Sequence, residues 1–111
     1  MTEHVRVAVA LDGCGSHPGA WRAPGARANA LTAAAHWQQL VGEAEAGLLD
    51  FVTLADTFAL HRGHSRTDRA TGGLDSVLLA SRLAPTTRSI GLIPTATATH
   101  TEPFHVSKAI A

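Results

Sequence analysis

A row of three threonines stands near the end of the chain, in the run GLIPTATATHTEP. Thr95, Thr97 and Thr99 alternate with alanines just where a buried strand is predicted to end. In an extended segment alternate side chains share a face, so we predict the three hydroxyls on one face and the alanines on the other. One interpretation is strand propensity at a solvated edge. The other is contact with a polar ligand, because buried hydroxyls need hydrogen-bond partners.

Two aspartates follow two other apolar runs. Asp12 comes after the run 5–11, and Asp56 ends the run 50–56. In parallel α/β folds, ligands bind at the carboxyl ends of the strands and in the loops that follow them. Both carboxylates are therefore candidates for ligand contact, and a turn or helix-capping role is the structural alternative for each.

The loop after Asp12 is rich in glycine and proline, and long loops of this kind are often functional. Cys14 in this loop could act as a nucleophile. No base lies at a fixed spacing from it, however, so a small packed residue is the favoured interpretation. The pair Gly13-x-Gly15 lacks the third glycine and the directly following helix of a dinucleotide-binding fingerprint.

A metal site is a further candidate. His61-x-x-His64, with Asp56 and Asp68 nearby, supplies side chains that bind metals. The segment 61–73 is predicted to be a polar surface loop, and it lacks the helical or cysteine-containing spacing of strong metal motifs. We therefore predict no metal.

Strand and helix patterns alternate along the chain. Runs rich in β-branched residues predict strands, and apolar residues spaced by three and four predict amphipathic helices. The predicted strands are 5–11, 50–56 and 88 to about 97, and the predicted helices are 31–46, 74–84 and one beginning near 103. Because near-continuous apolar strands alternate with helices, we predict an α/β fold with a parallel sheet covered by helices.

The first helix should bury one apolar face and end at a glycine. Gly47 is predicted to form a left-handed C-terminal cap. The predicted buried face consists of Trp37, Leu40, Val41, Ala44 and Leu48.

Local signals also mark the starts of the other two helices. Asp75 or Ser76 is predicted near the start of the second helix. Before the third, Thr99-x-x-Glu102 has the form of a capping box, and Pro103 suits the first turn of a helix.

The balance of charge narrows the class of partner. Nine Lys and Arg residues balance nine Asp and Glu residues, which argues against nucleic-acid binding. The single cysteine excludes an internal disulfide and fits a reducing cytosol. No apolar run approaches the roughly 20 residues that span a bilayer. We therefore expect a cytoplasmic protein with no membrane contact.

Several stretches together resemble a known family. They are Gly15–Arg22 (GSHPGAWR), Phe51–Asp56 (FVTLAD), Arg88–Leu92 (RSIGL) and Thr95–His105 (TATATHTEPFH). In this order and spacing they are similar to the bacterial luciferase-like, flavin-dependent monooxygenases. The branch they resemble is that of nitrilotriacetate monooxygenase, which also includes long-chain alkane and dibenzothiophene-sulfone monooxygenases.

The resemblance implies a fold and a reaction. The fold is the N-terminal part of a TIM (β/α)8 barrel, with about three β-α units, so that residues 1–111 form a partial barrel domain, truncated or split. The implied reaction uses reduced FMN and O2, through a flavin hydroperoxide, to oxidise a small organic substrate. A separate NAD(P)H:flavin reductase supplies the reduced FMN in such systems.

The resemblance also assigns roles to individual residues. Asp56 matches a position beside the flavin ring, and Thr97, with Thr95 or Thr99 as neighbours, matches the third-strand position that touches the isoalloxazine. His17 and Trp21 match the loop that walls the active site, which implies a catalytic role for His17 and a substrate-pocket role for Trp21. Hydroxyls and backbone groups at such positions hydrogen-bond the polar edge of the ring.

Members of this family run to several hundred residues, and their flavin phosphate site belongs to later β-α units. Two alternatives to the monooxygenase therefore stay open. One is a non-catalytic fragment or a small flavin- or partner-binding module, and the other is a deazaflavin-dependent oxidoreductase. The open sheet would be completed by the missing part of the barrel or by a second copy of the chain.

Overall fold

The computed structural model of the protein describes residues 3–56, 73–99 and 101–111. Three strands and three α-helices alternate through these ranges. In chain order they are β1 (Ala8–Leu11), α1 (Ala34–Ala46), β2 (Phe51–Leu54), α2 (Ser76–Leu83), β3 (Gly91–Pro94) and α3 (Pro103–Ile110). Short 3-10 turns lie at Ala20–Arg22, Ala28–Ala30 and Ala84–Thr86.

The three strands form one parallel sheet in the order β1-β2-β3. Val9 pairs with Val52, and Val52 pairs with Leu92, so the second residues of the three strands lie side by side and the strands run in the same direction. This confirms the predicted α/β class and the parallel sheet. The layer is compatible with part of a barrel.

Helices α1 and α2 pack on one face of the sheet. Val52 and Leu54 of β2 point into this layer and are buried there with Val41 of α1 and Leu83 of α2. Burying a Leu or Val side chain stabilises a fold by about 1.5–3 kcal/mol, so these contacts hold the helices to the strands. The buried core comprises Leu31, Trp37, Val41, Ala44, Val52, Leu54, Leu79, Leu83 and Ile90.

The opposite face of the sheet is left open by the described residues. Ala8 and Ala10 of β1 are exposed on it, Thr53 of β2 is half-buried, and Ile93 of β3 is 46% exposed. The side chains here are small or apolar. In a closed barrel this face would be the interior.

The predicted third strand extends too far. It ends at Pro94 rather than near Thr97, opposite Leu54, where its partner strand β2 also ends. One further bond follows, from the Thr95 N–H to the Leu54 carbonyl at 3.0 Å. The chain then enters a turn at Ala98 and Thr99.

Helix α1 ends at Ala46 as predicted, but its left-handed residue lies one position later than predicted. The helix continues to Ala46, so Gly47 becomes its C-cap with φ −77°, and Leu48 takes the left-handed position with φ +60°. Two bonds close this Schellman-type end, from the Leu48 N–H to the Glu45 carbonyl and from the Leu49 N–H to the Ala44 carbonyl. Leu48 is therefore 89% exposed, and its predicted place on the buried face is wrong.

The start of α2 agrees with its prediction, and the start of α3 agrees only in part. Asp75 caps α2 as predicted, with its Oδ1 accepting a 2.8 Å bond from the Leu78 N–H. Helix α3 begins at Pro103 as predicted. The capping box is wrong, because the N-cap is Glu102 itself, without a side-chain cap bond, and Thr99 lies in the preceding turn.

Candidate functional site

The amino edge of the sheet is held by Asp50, just before β2. Its Oδ1 accepts a 2.7 Å bond from Arg6 Nη1, and its Oδ2 accepts a 2.8 Å bond from the Val7 N–H. The hydrogen bond from Arg6, followed by that from Val7, lowers the pKa of Asp50 below its ordinary value. Asp50 thus fixes the segment before β1 against the start of β2.

Glu45 occupies a nest of backbone N–H groups at the same edge. Its Oε1 accepts bonds from the N–H groups of Ser89, Arg88 and Ile90 at 2.7, 2.8 and 3.1 Å. These bonds, that from Ser89 first, lower the pKa of Glu45 from 4.5 to about 2. Concave sets of N–H groups of this kind bind anions, and here the anion is the protein's own carboxylate. Glu45 therefore ties the end of α1 to the segment that enters β3.

An open groove of about 610 Å³ also lies at this amino edge. Arg6, Asp50 and Ser89 contribute its polar lining, and Phe51 and Ile93 contribute part of its apolar lining. Ligands of parallel α/β folds bind at the other edge, at the carboxyl ends of the strands. We therefore locate the candidate site at the carboxyl edge, despite the size of this groove.

At the carboxyl edge, Asp56 and Thr95 are linked through Ser76. Asp56 Oδ2 accepts a 3.2 Å bond from the Ser76 N–H, at the first turn of α2. The Ser76 hydroxyl donates to the Thr95 carbonyl. Asp56 thus has the capping role that the sequence left open as its structural alternative. This role engages one of its two carboxylate oxygens.

The threonine row lies beyond the end of β3. Thr95 and Thr99 are exposed, and Thr97 is half-buried. Among the described residues, no hydrogen bond from their hydroxyls is recorded. The common face predicted for the three hydroxyls required an extended segment, and the turn at Ala98 and Thr99 ends that extension before the third threonine. The row is therefore a polar cluster at the strand end, not a regular stripe along a strand.

The loop after β1 brings His17 and Trp21 to the carboxyl end of its own strand. His17 Nδ1 accepts a 3.1 Å bond from the Gly19 N–H. An acceptor at Nδ1 means that the neutral ring carries its proton on Nε2, so His17 presents a donor on its outer side. His17 is exposed, and the loop turns at Gly13 and Gly15, which have φ +53° and +122°.

Trp21 is half-buried, and its Nε1 is buried without an acceptor among the described residues. The guanidinium of Arg22 lies 4.8 Å from the centre of its ring, within the range of a cation–π contact. A buried indole N–H normally finds a partner. The Trp21 donor is therefore a candidate for a ligand contact.

The remaining sequence candidates have simpler outcomes. Cys14 is half-buried against the core, which agrees with its interpretation as a small packed residue. Across residues 3–56, 73–99 and 101–111, no group of three His, Cys, Asp or Glu side chains could hold a metal ion. His61, His64 and Asp68 lie outside the described residues. No helix within these ranges is long and apolar enough to cross a membrane.

The structure brings some of the predicted site residues together and leaves others apart. Asp56 and Thr95 are joined through Ser76, a residue that the sequence marked only as a helix start. His17 and Trp21 belong to the loop that follows β1, and no hydrogen bond between described residues links them to Asp56, Ser76 or Thr95. The part played by Ser76 has no local sequence signal, because its partners are 20 and 19 residues away along the chain.

Comparison with known proteins gives two informative similarities. N-acetyl-S-(2-succino)cysteine monooxygenase of Bacillus subtilis (strain 168) is 34% identical over 109 residues, which is 98% of this chain and 24% of that protein. Nitrilotriacetate monooxygenase component A of Aminobacter aminovorans is 35% identical, over 87% of this chain and 24% of that protein. No protein-family profile matches the chain.

These similarities confirm the resemblance to the nitrilotriacetate monooxygenase branch that the sequence motifs predicted. The chain spans about a quarter of the length of the two relatives.

Proposed function

We propose that this chain is the flavin-contacting part of a luciferase-like, FMN-dependent monooxygenase. The observation that carries the proposal is the 34–35% identity to two monooxygenases along almost the whole chain. The parallel sheet supports it, since Asp56, Thr95 and His17 each follow the carboxyl end of a strand, and ligands of parallel α/β folds bind at such ends. The TIM barrel to which the sheet would belong is part of this proposal.

The side chains at the carboxyl edge suit the isoalloxazine ring of a flavin. The ring has a polar edge rich in acceptors and donors, and Thr95, Thr97 and Thr99 offer hydroxyls that no described residue engages. The buried Trp21 N–H lacks an acceptor among the described residues. The open face carries small side chains at Ala8, Ala10 and Thr53, which would leave room for a flat ring.

When bound, reduced FMN supplies the electrons that reduce O2, so that one oxygen atom enters the substrate and the other leaves as water. This chain's residues would bind and orient the reactants. The threonine hydroxyls and the Asp56 oxygen that no described residue engages would bind the polar edge of the ring. His17 would present its Nε2–H as a donor, and Trp21 would wall the substrate pocket.

The proposal extends to partners and location. One relative is named as a component A, which supports a separate component in that system. We infer that an NAD(P)H:flavin reductase delivers reduced FMN to this protein too, and that the protein works in the cytoplasm. The substrate is a small organic molecule, and the remainder of a barrel or a second copy of the chain would complete the pocket.

A second candidate is a non-catalytic flavin- or partner-binding module. The open sheet face favours it, because Ile93 is 46% exposed there, and Phe104 of α3 is 71% exposed. Apolar surface of this kind marks a contact with another polypeptide. In this alternative the chain would bind flavin or a partner without turning over substrate.

Flavin titration tests the proposal. The whole chain would be titrated with FMN, with FMN reduced under anaerobic conditions, and with a deazaflavin, and binding followed by absorbance and fluorescence. We expect FMN to bind, and we expect Thr97→Val to weaken that binding by roughly tenfold, the worth of one hydrogen bond. Thr87→Val is the matched control, because Thr87 is half-buried like Thr97 but lies in the segment that leads into the amino end of β3.

Each result separates the candidates. Preference for the deazaflavin would replace FMN as the cofactor. A wild-type chain that binds neither flavin would overturn the proposed function, and equal effects of Thr97→Val and Thr87→Val would remove Thr97 from the site.

A further inference from the structure

We propose that Ser76 is a positioning residue that fixes the start of the threonine row relative to Asp56. Its consequence for flavin binding rests on the proposed function. The inference itself concerns the geometry of three chain segments, which can be measured without any flavin.

Ser76 is the one buried polar residue among the described residues, with no exposed surface. Its N–H donates to Asp56 Oδ2 at 3.2 Å, and its hydroxyl donates to the Thr95 carbonyl. A single residue thus joins the segment after β2, the first turn of α2 and the segment after β3. The segments after β2 and after β3 both carry residues of the candidate site.

Capping of α2 does not explain the Ser76 hydroxyl. Asp75 already caps this helix through the Leu78 N–H. The orphan N–H of Ser76 is satisfied by Asp56. The hydroxyl is therefore directed out of its own helix, towards the backbone of another element.

The bond to Thr95 matters because the sheet no longer holds the chain at this point. β3 ends at Pro94, and the Thr95 N–H makes the last ladder bond, to the Leu54 carbonyl at 3.0 Å. The Ser76 hydroxyl holds the carbonyl of the same residue. Thr95 is thus fixed on both sides of its peptide backbone, which sets the direction in which Thr97 and Thr99 follow.

The Ser76 hydroxyl makes its hydrogen bond in a buried position. A buried hydroxyl without a hydrogen-bond partner destabilises a fold, so the Ser76 hydroxyl and the Thr95 carbonyl stabilise the structure as a pair. Replacing it with alanine removes the donor and lets the Thr95 carbonyl turn to water. We expect the threonine row to shift, while the helix keeps its cap at Asp75.

The test compares two serine deletions on one helix. Ser76→Ala removes the inter-element bond, and Ser81→Ala removes a hydroxyl that donates to the Val77 carbonyl within the exposed part of α2. Amide resonances of Thr95, Thr97 and Thr99 would be compared by NMR for the whole chain without flavin. We expect them to move in Ser76→Ala and to stay in place in Ser81→Ala.

FMN titration of the same variants gives the second measurement. We expect Ser76→Ala to weaken FMN binding by roughly three- to tenfold, since a displaced contact loses part of a hydrogen bond. Ser81→Ala should bind like the wild type. Ser76→Cys, which keeps the side-chain shape with a somewhat larger atom and a weak donor, should restore part of the affinity and of the resonance positions.

The outcomes remain distinguishable. If Ser76→Ala fails to fold, Ser76→Cys decides, with threonine resonances between those of the wild type and a displaced state supporting the proposal. If the wild-type chain binds no flavin, the proposed function fails, and the resonances alone still decide the role of Ser76. Threonine resonances that coincide in Ser76→Ala and Ser81→Ala would overturn the inference.

Discussion

The two edges of the same three-stranded sheet treat their carboxylates in opposite ways. At the amino edge, one oxygen of Glu45 accepts three backbone N–H groups, and both oxygens of Asp50 are bonded. At the carboxyl edge, described residues engage one oxygen of Asp56 and none of the threonine hydroxyls. The same difference is typical of parallel α/β folds, in which residues at the amino edge stabilise the fold and residues at the carboxyl edge contact ligands.

Charge sharpens the comparison. Backbone N–H groups hold the pKa of Glu45 at about 2, and Arg6 with Val7 lowers the pKa of Asp50. Both carboxylates are therefore ionised at neutral pH and committed to the fold. A carboxylate that is hydrogen-bonded in this way has few acceptor positions left for a ligand. A side chain with unused donors or acceptors can still bind one.

Glu45→Ala should have the largest effect on stability. It leaves the N–H groups of Arg88, Ser89 and Ile90 without their acceptor and loosens the entry into β3. We expect thermal unfolding by circular dichroism to show a midpoint lower by several degrees. Glu43→Ala is the matched control. Glu43 lies on the same helix, and among the described residues its side chain is hydrogen-bonded only to the exposed Gln39. Equal midpoints for the two variants would contradict the structural role of Glu45.

The pH dependence of stability should also show the contribution of Glu45 to the fold. The folded pKa of Glu45, about 2, lies below its ordinary 4.5, so its contribution is complete above about pH 4.5 and is lost as the pH falls towards 2. Asp50 acts in the same direction, because its pKa is also lowered. Urea unfolding between pH 7 and 2 should show this loss, and Glu45→Gln should make the curve flatter across that window. A curve for Glu45→Gln that parallels the wild type would contradict the assignment.

Much of the fold could be predicted from the sequence, because its signals are local. The β-branched runs located all three strands, and the three-and-four spacing located Trp37, Val41 and Ala44 on the buried face of α1. The left-handed residue after α1 lies one position later than predicted, since bonds from Leu48 and Leu49 to earlier carbonyls, and not glycine alone, decide where the left-handed turn falls.

The contacts that organise the two edges could not be predicted in this way. Glu45 meets its donors 43–45 residues further along the chain, and Ser76 meets Asp56 and Thr95 across 20 and 19 residues. No periodicity encodes such pairs, because they form only when the sheet and its helices assemble. The resemblance to a family suggested Asp56 and the threonines as candidates, but it said nothing of the serine that links Asp56 to Thr95.

Asp56→Asn should change stability least. It makes the same carboxylate-to-amide replacement as Glu45→Gln, but at the other edge of the sheet. The amide oxygen of asparagine can still accept from the Ser76 N–H, so the lost term is mainly the charge near the start of α2, worth below about 1 kcal/mol. We expect thermal unfolding within a few degrees of the wild type and weaker FMN binding in the same preparation. If Asp56→Asn instead destabilises the chain as much as Glu45→Gln and leaves FMN binding unchanged, Asp56 is a structural carboxylate like Glu45. The distinction between the two edges would then be lost, because both carboxylates would serve the fold alone.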